Sequence, residues 1–392
     1  MFRITFYHLM RNKRATMLMV LALGITFYFP LLSNALSRVL YTQMMQRAEQ
    51  TPLIVVAKGS RFVAVLNTIY FQSETLDPIP MRVYNDLRRR DNVQAIPIYN
   101  MFRARVPMDN AFESIPIVAT THDYLRFRGL KPKEGSIFFY PGDIVIGYDL
   151  ARQSGLQVGD TILSEISSLI NLNAIYPLSL KITGILDRTG TEDDGMIFSD
   201  LRSGWIMSGH FHGHGTPLEL GEDYILTAEE NVATMRQNVI TYTEVTEENI
   251  RSFHFHGDQE ELPLTAIIVI PQDERAMTIT AGRINAQGRY SAYRPNKVME
   301  EFFGVVFAVN RIFNSYFVLV MSAVVCFISI IILLSSRLRK DEFKTIQTLG
   351  GSRFVVWKLY FCEYSILLVS SLLLAALLTW QTLSIVKNML IL

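Results

Sequence analysis

The sequence predicts a membrane protein in which α-helical spans carry a large α+β domain outside the membrane. Three segments are apolar for about as long as the roughly 20 residues that a bilayer core requires. Apolar residues make up 49% of the 392 residues, and the mean hydropathy is +0.22, which is more apolar than a typical soluble enzyme. Between the first two apolar segments, strand and helix patterns alternate. We therefore expect three spans, with a fourth left open, and an α+β domain on helical stalks.

The distribution of charge predicts which side each segment occupies. The first fourteen residues hold four basic residues and no acid, and residues 337–358 hold six basic residues against two acids. Residues 37–312 hold 26 Lys and Arg against 33 Asp and Glu. Positive charge gathers on the cytoplasmic side of membrane spans. Both basic segments are therefore expected inside and residues 37–312 outside, and nothing in this balance indicates nucleic-acid binding.

The chain begins with a basic, amphipathic lead-in, residues 1–14, which we expect at the inner membrane surface. The first span, residues 15–36, contains no charged residue. A cleaved signal peptide is the competing interpretation, but its apolar region would be only about 7–15 residues long. The length of this segment favours a span that remains in the membrane.

Residues 37–312 form the outer domain with its stalk helices, and strand and helix patterns alternate near both of its ends. Apolar, β-branched runs predict strands, and alternation with helices predicts a small α/β layer. The predicted strands are Pro52–Gly59, Val93–Tyr99, Ser114–Thr121 and Leu264–Pro271, and the predicted helices are Met81–Arg90 and Asp273–Ile284.

The middle of this domain, about residues 125–260, predicts a β-rich subdomain inserted into the α/β layer. Ile144–Ile162 has the pattern strand, helix, turn, strand, and Leu178–Leu186 and Met196–Leu201 are further strands. Three consecutive acids, Glu192, Asp193 and Asp194, lie in a turn beside glycine. We interpret them as a solvated loop rather than as catalytic carboxylates.

Two further spans follow the outer domain. Val298–Ile312 has apolar residues at helical spacing and continues without a break into the second span, residues 313–335. The third span covers residues 355–380. The tail, residues 381–392, is too short to cross a bilayer at 1.5 Å per residue, so the position of the C-terminus stays open.

A short polar segment, residues 336–354, separates the second and third spans. It begins with a basic cluster, then places apolar residues at helical spacing, and reaches Gly350-Gly351, which ends a helix without steric cost. Ser352 can cap the next helix. An amphipathic helix on the basic side of the membrane indicates docking to a cytoplasmic partner.

This segment resembles the coupling segment of ABC transporter permeases of the FtsX/MacB/LolC type. The run R-x-R-K-D-E-F-x-x-I-x-x-L-G-G-S-R at residues 337–353 resembles the R-x-x-E-I-x-x-L-x-A-L-G-A-S segment of that family. The run G-x-x-L-A-x-x-x-G-L-x-V-G-D and the sequence TGTEDDGMIFSDL also resemble the MacB-type periplasmic domain. The resemblance implies that ATPase contact is carried by Arg339, Glu342, Ile346, Leu349, Gly350, Ser352 and Arg353.

The resemblance further implies a permease subunit in the bacterial inner membrane, with its large domain in the periplasm, that works by mechanotransmission. Its partners would be a cytoplasmic ABC ATPase that binds ATP and Mg²⁺, a second permease copy or paralogue, membrane lipid, and a periplasmic adaptor or outer-membrane component. The cargo would be a lipoprotein, a peptide or another amphipathic molecule. The main alternative is a non-transporting, FtsX-like regulator of an envelope enzyme. Family members have four spans, and this sequence departs from that pattern.

The chain itself has no pattern typical of catalysis. It contains no G-x-x-x-x-G-K-[ST] loop for ATP and no G-x-S-x-G nucleophile motif. We therefore expect a non-catalytic subunit that binds no cofactor directly. Its two cysteines, Cys326 and Cys362, both lie in predicted spans and are interpreted as packing residues.

Histidines give a third hypothesis, a metal-linked sensor or exporter. Alternation in a strand would place each of two clusters on one face, where imidazoles can bind Zn²⁺ or Cu²⁺. Flanking glycines favour exposed loops instead, with no role or with a role in pH sensing or partner contact. The clusters are His210, His212 and His214, and His254 and His256.

Overall fold

The computed structural model describes residues 2–11, 13–72, 76–108, 111–165, 177–213, 225–229, 232–235, 244–246, 248–255, 257–338, 348 and 353–391. The chain divides into two compact units. We call residues 1–44 with 301–392 the helical unit and residues 45–300 the sheet unit.

Ten α-helices lie in the described part of the chain, and four of them contribute to the helical unit. The helices are α1 (Phe2–Arg11), α2 (Lys13–Glu49), α3 (Arg61–Tyr70), α4 (Met81–Arg88), α5 (His122–Arg128), α6 (Tyr148–Ser154), α7 (Leu201–Met207), α8 (Glu274–Ala286), α9 (Pro295–Leu338) and α10 (Arg353–Ile391). Short 3₁₀ helices cover Glu192–Gly195, Ile250–Ser252 and Gln259–Glu261.

Sixteen strands are described. They are β1 (Leu53–Ala57), β2 (Ile79–Pro80), β3 (Val93–Pro107), β4 (Phe112–Thr120), β5 (Pro132–Gly135), β6 (Asp143–Ile146), β7 (Thr161–Ser164), β8 (Ser179–Leu186), β9 (Ile197–Asp200), β10 (Phe211–Gly213), β11 (Ile225–Glu229), β12 (Val232–Met235), β13 (Phe253–Phe255), β14 (Pro263–Leu264), β15 (Ala266–Pro271) and β16 (Tyr290–Tyr293).

Three helices of the described chain are long and apolar enough to cross a membrane. The segments are Lys13–Glu49, Pro295–Leu334 and Trp357–Val386. A helix suits this environment because it satisfies its backbone hydrogen bonds internally. Helix α10 continues past Trp380 to Ile391, because no Pro or Gly interrupts it after Arg353. The predicted tail is therefore part of the last long helix.

The sheet unit is built on one ten-stranded sheet. Its order is β16-β1-β15-β3-β4-β9-β6-β8-β5, with β7 pairing with β3 and β8. Strands predicted for the α/β layer and strands predicted for the β-rich insertion both belong to this sheet. Strand β3 joins the two sets, because it is fifteen residues long and pairs with β15, β4 and β7.

The core of the sheet unit lies against this sheet. Strands β1 and β15 pair antiparallel, and their paired residues are apolar, as in Leu53 with Val269 and Val55 with Ile267. These side chains are fully buried, which explains why the two segments are continuous apolar runs rather than alternating ones. Strand β1 begins four residues after α2 ends, so α2 is close in sequence to a strand that lies between β16 and β15 in the sheet.

Candidate functional site

The most distinctive polar site of the sheet unit surrounds Arg47, in the last turn of α2. Only 4% of the Arg47 surface is exposed. A charged side chain is seldom buried this far unless it is paired. The residues around Arg47 therefore show what holds the end of α2.

Asp193 is the direct partner of Arg47. Nη1 of Arg47 donates to Oδ2 of Asp193 at 2.7 Å, and Nη2 donates to Oδ1 at 2.9 Å. Asp193 is itself 2% exposed. Two parallel bonds to one carboxylate fix both the position and the orientation of the guanidinium. Glu192 adds a longer ion pair, with its Oε2 3.5 Å from Nε of Arg47.

Three other groups complete the surroundings of Arg47. Nε donates to the carbonyl of Ile69, at the end of α3, and Nη2 also donates to the Tyr124 hydroxyl at 3.2 Å. The guanidinium carbon lies 5.4 Å from the ring centroid of Phe71. Phe71 caps α3 in the left-handed conformation, with φ 53°. The end of α2 is thus fixed to α3, to α5 and to the acidic turn.

In the acidic turn, Glu192–Gly195, the two buried carboxylates of Asp193 and Asp194 bind different partners. Asp194 is 3% exposed, and its oxygens accept hydrogen bonds from the amides of Thr189 and Gly190 and from the Thr189 hydroxyl. Asp194 therefore shapes the loop, while Asp193 faces Arg47. The expectation of a solvated loop was wrong for Asp193 and Asp194, because both side chains are buried and hydrogen-bonded.

Electrostatics keep Asp193 ionised and Tyr124 protonated. Burial by itself would raise the pKa of Asp193, but the charge and hydrogen bonds of Arg47 outweigh it and hold that pKa below its ordinary value. Burial, followed by the Asp193 charge, raises the pKa of Tyr124. The Tyr124 hydroxyl can therefore donate to Asp193 Oδ1, at 2.9 Å. We call Arg47, Asp193 and Tyr124 the stalk anchor.

A second polar cluster, in the helical unit, joins α2 to α9. Oγ of Ser33 donates to Oδ1 of Asn310 at 2.9 Å. Asn34 accepts a bond of 3.2 Å from Asn310 and exchanges bonds of 3.2 Å with Asn314. Asn310 also donates to Oγ of Ser37 at 3.5 Å. Amide bonds between two otherwise apolar helices can fix their register.

The predicted ATPase-coupling residues lie almost entirely outside the described residues. Arg353 is the first residue of α10, and its side chain is not described. The others are outside the description: Arg339, Glu342, Ile346, Leu349, Gly350 and Ser352. Their role in coupling stays a prediction.

His212 of the first histidine cluster and His254 of the second lie opposite each other in a small two-stranded ribbon of β10 and β13. Nδ1 of His210 lies 2.8 Å from Oγ of Ser208, and burial lowers the pKa of His210. His214 and His256 lie outside the described residues. Within the described part, no group of three or more His, Cys, Asp or Glu residues is arranged to hold a metal ion.

Comparison with known proteins identifies the family. The sequence model of the MacB-like periplasmic core domain matches residues 16–233, and this chain belongs to that family. The predicted resemblance is thereby confirmed, and the chain is a permease-type subunit of an ABC transporter. With three apolar helices, it is a membrane protein with a periplasmic domain.

Several solved structures are similar at low identity. The periplasmic region of MacB from Actinobacillus actinomycetemcomitans is 9% identical, covers 64% of this chain and 92% of that one, and has a TM-score of 0.35. The extracellular domain of the noncanonic ABC-type transporter YknZ from Gram-positive bacteria is 10% identical, with 62% and 98% coverage and a TM-score of 0.35. A domain of a putative permease protein from Porphyromonas gingivalis is 10% identical, with 63% and 91% coverage and a TM-score of 0.29. No curated protein matches.

Proposed function

We propose that this chain is the permease subunit of a mechanotransmission-type ABC transporter. The observation that supports this most is the continuity of α2, which contains the first apolar window and ends at the stalk anchor. A bidentate ion pair resists both translation and rotation of the group that it holds. The position of the last turn of α2 is therefore coupled to the acidic turn through Asp193.

In this proposal a separate cytoplasmic ATPase supplies the chemical work, because the chain has no nucleotide-binding loop. ATP and Mg²⁺ bind in that partner, and its movement is passed to the coupling segment and then to α2 and α9. Two permease chains, as copies or paralogues, act together in the bacterial inner membrane. A periplasmic adaptor or outer-membrane component receives the cargo, and the permease itself performs no catalysis.

The cargo in this proposal is a lipoprotein, a peptide or another amphipathic molecule that is moved outside the bilayer. The alternative function is a non-transporting regulator, in which the same motion activates an envelope enzyme. The two functions differ in what the periplasmic domain binds, a lipid-bearing or amphipathic molecule in one case and a folded hydrolase in the other.

Co-purification from membranes tests the proposal. The intact chain should bring down an ABC ATPase subunit, and the double change Glu342→Ala with Leu349→Ala should abolish its recovery. Lys344→Ala with Gln347→Ala is the matched control, because it lies in the same segment but outside the positions of the family pattern. Failure to recover an ATPase with the intact chain would contradict the proposal.

We also propose, as a second function, that the β10–β13 ribbon binds Zn²⁺. The pairing of His212 with His254 supports it, since directly opposed residues of an antiparallel pair lie on the same face. Calorimetry of the full chain in detergent with zinc chloride should show binding that His212→Ala with His254→Ala removes and that His8→Ala, outside both clusters, preserves. Absence of heat with the intact chain would end this hypothesis.

A further inference from the structure

A second arginine of the sheet unit, Arg128, has buried donors without acceptors. Arg128 is the last residue of α5. Its Nε and Nη1 are buried and have no hydrogen-bond partner among the described residues. Buried donors are almost always satisfied, and an exception calls for a functional or structural reason.

The surroundings of Arg128 connect it to the stalk anchor. Its guanidinium carbon lies 5.8 Å from the ring centroid of Tyr124, whose hydroxyl donates to Asp193. The positive charge of Arg128 also helps to hold the pKa of Asp193 below its ordinary value. The charge of Arg128 therefore acts on the carboxylate of Asp193, which is paired with Arg47.

Within the described part of the chain, the Arg128 guanidinium hydrogen-bonds to Thr51, two residues after the end of α2. Nη2 of Arg128 donates to Oγ1 of Thr51 at 2.8 Å, and the Thr51 hydroxyl donates to the backbone carbonyl of Arg47 at 3.1 Å. Thr51 is 1% exposed. A displacement of the last turn of α2 would move Arg47 and disturb Thr51 together, which would free Asp193 and Arg128 in the same step.

We propose that Arg128 is the alternate partner of Asp193, and that the carboxylate passes from Arg47 to Arg128 when α2 moves. This inference rests on the proposed function, because it needs a stroke of α2. Without a second cation, the stroke would leave a buried carboxylate unpaired, which is strongly unfavourable. With Arg128, one ion pair replaces another, and the end of α2 has two discrete positions.

A simpler role for Arg128 is to brace Thr51 at the end of α2. The two roles differ in their prediction for a chain that lacks Arg47. If Arg128 takes over Asp193, Arg47→Gln should be tolerated, and Arg47→Gln with Arg128→Gln should be far worse than the sum of the single changes. A brace predicts instead that Asp193→Asn does not rescue the double variant, because the contact that is lost is then the one with Thr51 and not one with Asp193.

The test is a double-mutant cycle on the full chain in detergent, with urea unfolding as the measurement. We expect the cycle to show coupling of about tenfold or more in the unfolding equilibrium constant. Asp193→Asn, added to the double variant, should restore folding, since no buried carboxylate is then left unpaired. Additive effects, or an Arg47→Gln chain as unstable as the double variant, would overturn the proposal. None of these results depends on an ATPase.

A second measurement places the exchange in the transport cycle. A fluorophore would be attached at Lys131→Cys, an exposed position near the end of α5, in a chain with Cys326 and Cys362 replaced by serine. Its fluorescence would be measured in lipid with the ATPase partner when nucleotide is added. Arg128→Gln should abolish the nucleotide-driven signal, Arg128→Lys should restore part of it, and Thr51→Val should preserve it. An unchanged signal in Arg128→Gln would overturn the exchange and leave the proposed function standing. An absent signal in the unmodified sequence would instead count against the proposed function.

Discussion

At the residue scale, the acidic turn shows how three adjacent carboxylates acquire different roles. Asp193 is buried against Arg47, and Asp194 is buried against the loop amides. Glu192 keeps 35% of its side chain exposed and lies 3.5 Å from Arg47. The sequence distinguishes none of the three, since all are acids in one turn. Their neighbours in the fold decide which of them contributes to stability.

Replacement of Asp193 by asparagine should be strongly destabilising. The change leaves the Arg47 guanidinium buried without its anion, and breaking a buried ion pair typically costs about 3–5 kcal/mol. Urea unfolding of the purified chain in detergent measures this loss. Glu192→Gln is the matched control, because a partly exposed pair contributes only about 0–1 kcal/mol. Equal effects of the two changes would show that the anchor does not depend on Asp193.

The anchor could not have been predicted from local sequence patterns. Arg47 and Asp193 are 146 residues apart in the chain, and neither residue is part of a pattern that indicates a partner. A lone arginine in a stalk helix and an acid beside glycine both predict solvent exposure. What brings them together is the sheet, which places the acidic turn next to the end of α2.

At the element scale, the hydrophobic pattern of the sequence predicted strands best where most residues of the strand are buried. The strands β1 and β15 follow from continuous apolar, β-branched runs, because most of their residues are buried. Strand β4 follows from a run that ends in its buried half, residues 117–120. The sequence pattern did not predict helix α3, because RFVAVLNTIY combines β-branched and aromatic residues, which favour strands, with a helical spacing. Strand β3 extends eight residues beyond its predicted end at Tyr99, across an irregularity of register between Tyr99 and Phe102.

The amide cluster between α2 and α9 should fix register more than it contributes to stability. Hydrogen bonds between membrane helices contribute about 0.6 kcal/mol on average, so Asn310→Leu should change the thermal unfolding midpoint little. The same change removes the bonds from Asn310 to α2. We expect α2 and α9 to slide relative to each other in this variant.

Disulfide cross-linking can measure this register. The ring of Tyr41 packs against Phe303 and Phe307, at 5.2 and 5.5 Å between centroids, so Tyr41→Cys should cross-link to Phe307→Cys. In the Asn310→Leu background, cross-linking to Arg311→Cys, one turn further along α9, should rise. Ser315→Ala is the control, because that hydroxyl donates to the carbonyl of Arg311 in its own helix. An unchanged pattern in Asn310→Leu would show that apolar packing alone sets the register.

At the scale of the whole molecule, the two units are stabilised by different interactions and should respond differently to substitutions. The helical unit contributes long apolar helices, whose contacts depend on matching surfaces and a few amide bonds. The sheet unit contributes a hydrophobic core and the buried ion pair of Arg47 with Asp193. Helices α2 and α9 have residues in both units. A defect at the anchor should therefore affect the output of the transporter without changing how its cytoplasmic side recognises the ATPase.

This separation can be tested by comparing a defect at the stalk anchor with a defect in the coupling segment. In lipid with the ATPase partner, Asp193→Asn should leave ATP hydrolysis in place and abolish the nucleotide-driven signal of a fluorophore at Lys131→Cys, because the stalk moves without its anchor. Glu342→Ala with Leu349→Ala should lose both, because the ATPase no longer binds.

Glu192→Gln serves as the control and should preserve ATP hydrolysis and the fluorophore signal, since Asp193 still holds Arg47. Loss of ATP hydrolysis in Asp193→Asn would mean that the anchor controls the ATPase cycle from the periplasmic side. A preserved signal would mean that force reaches the sheet by another route, with α9 as the remaining helix that has residues in both units. The expected loss of the signal alone would assign the stroke to α2, because α2 loses its buried ion pair in this variant while α9 is unchanged.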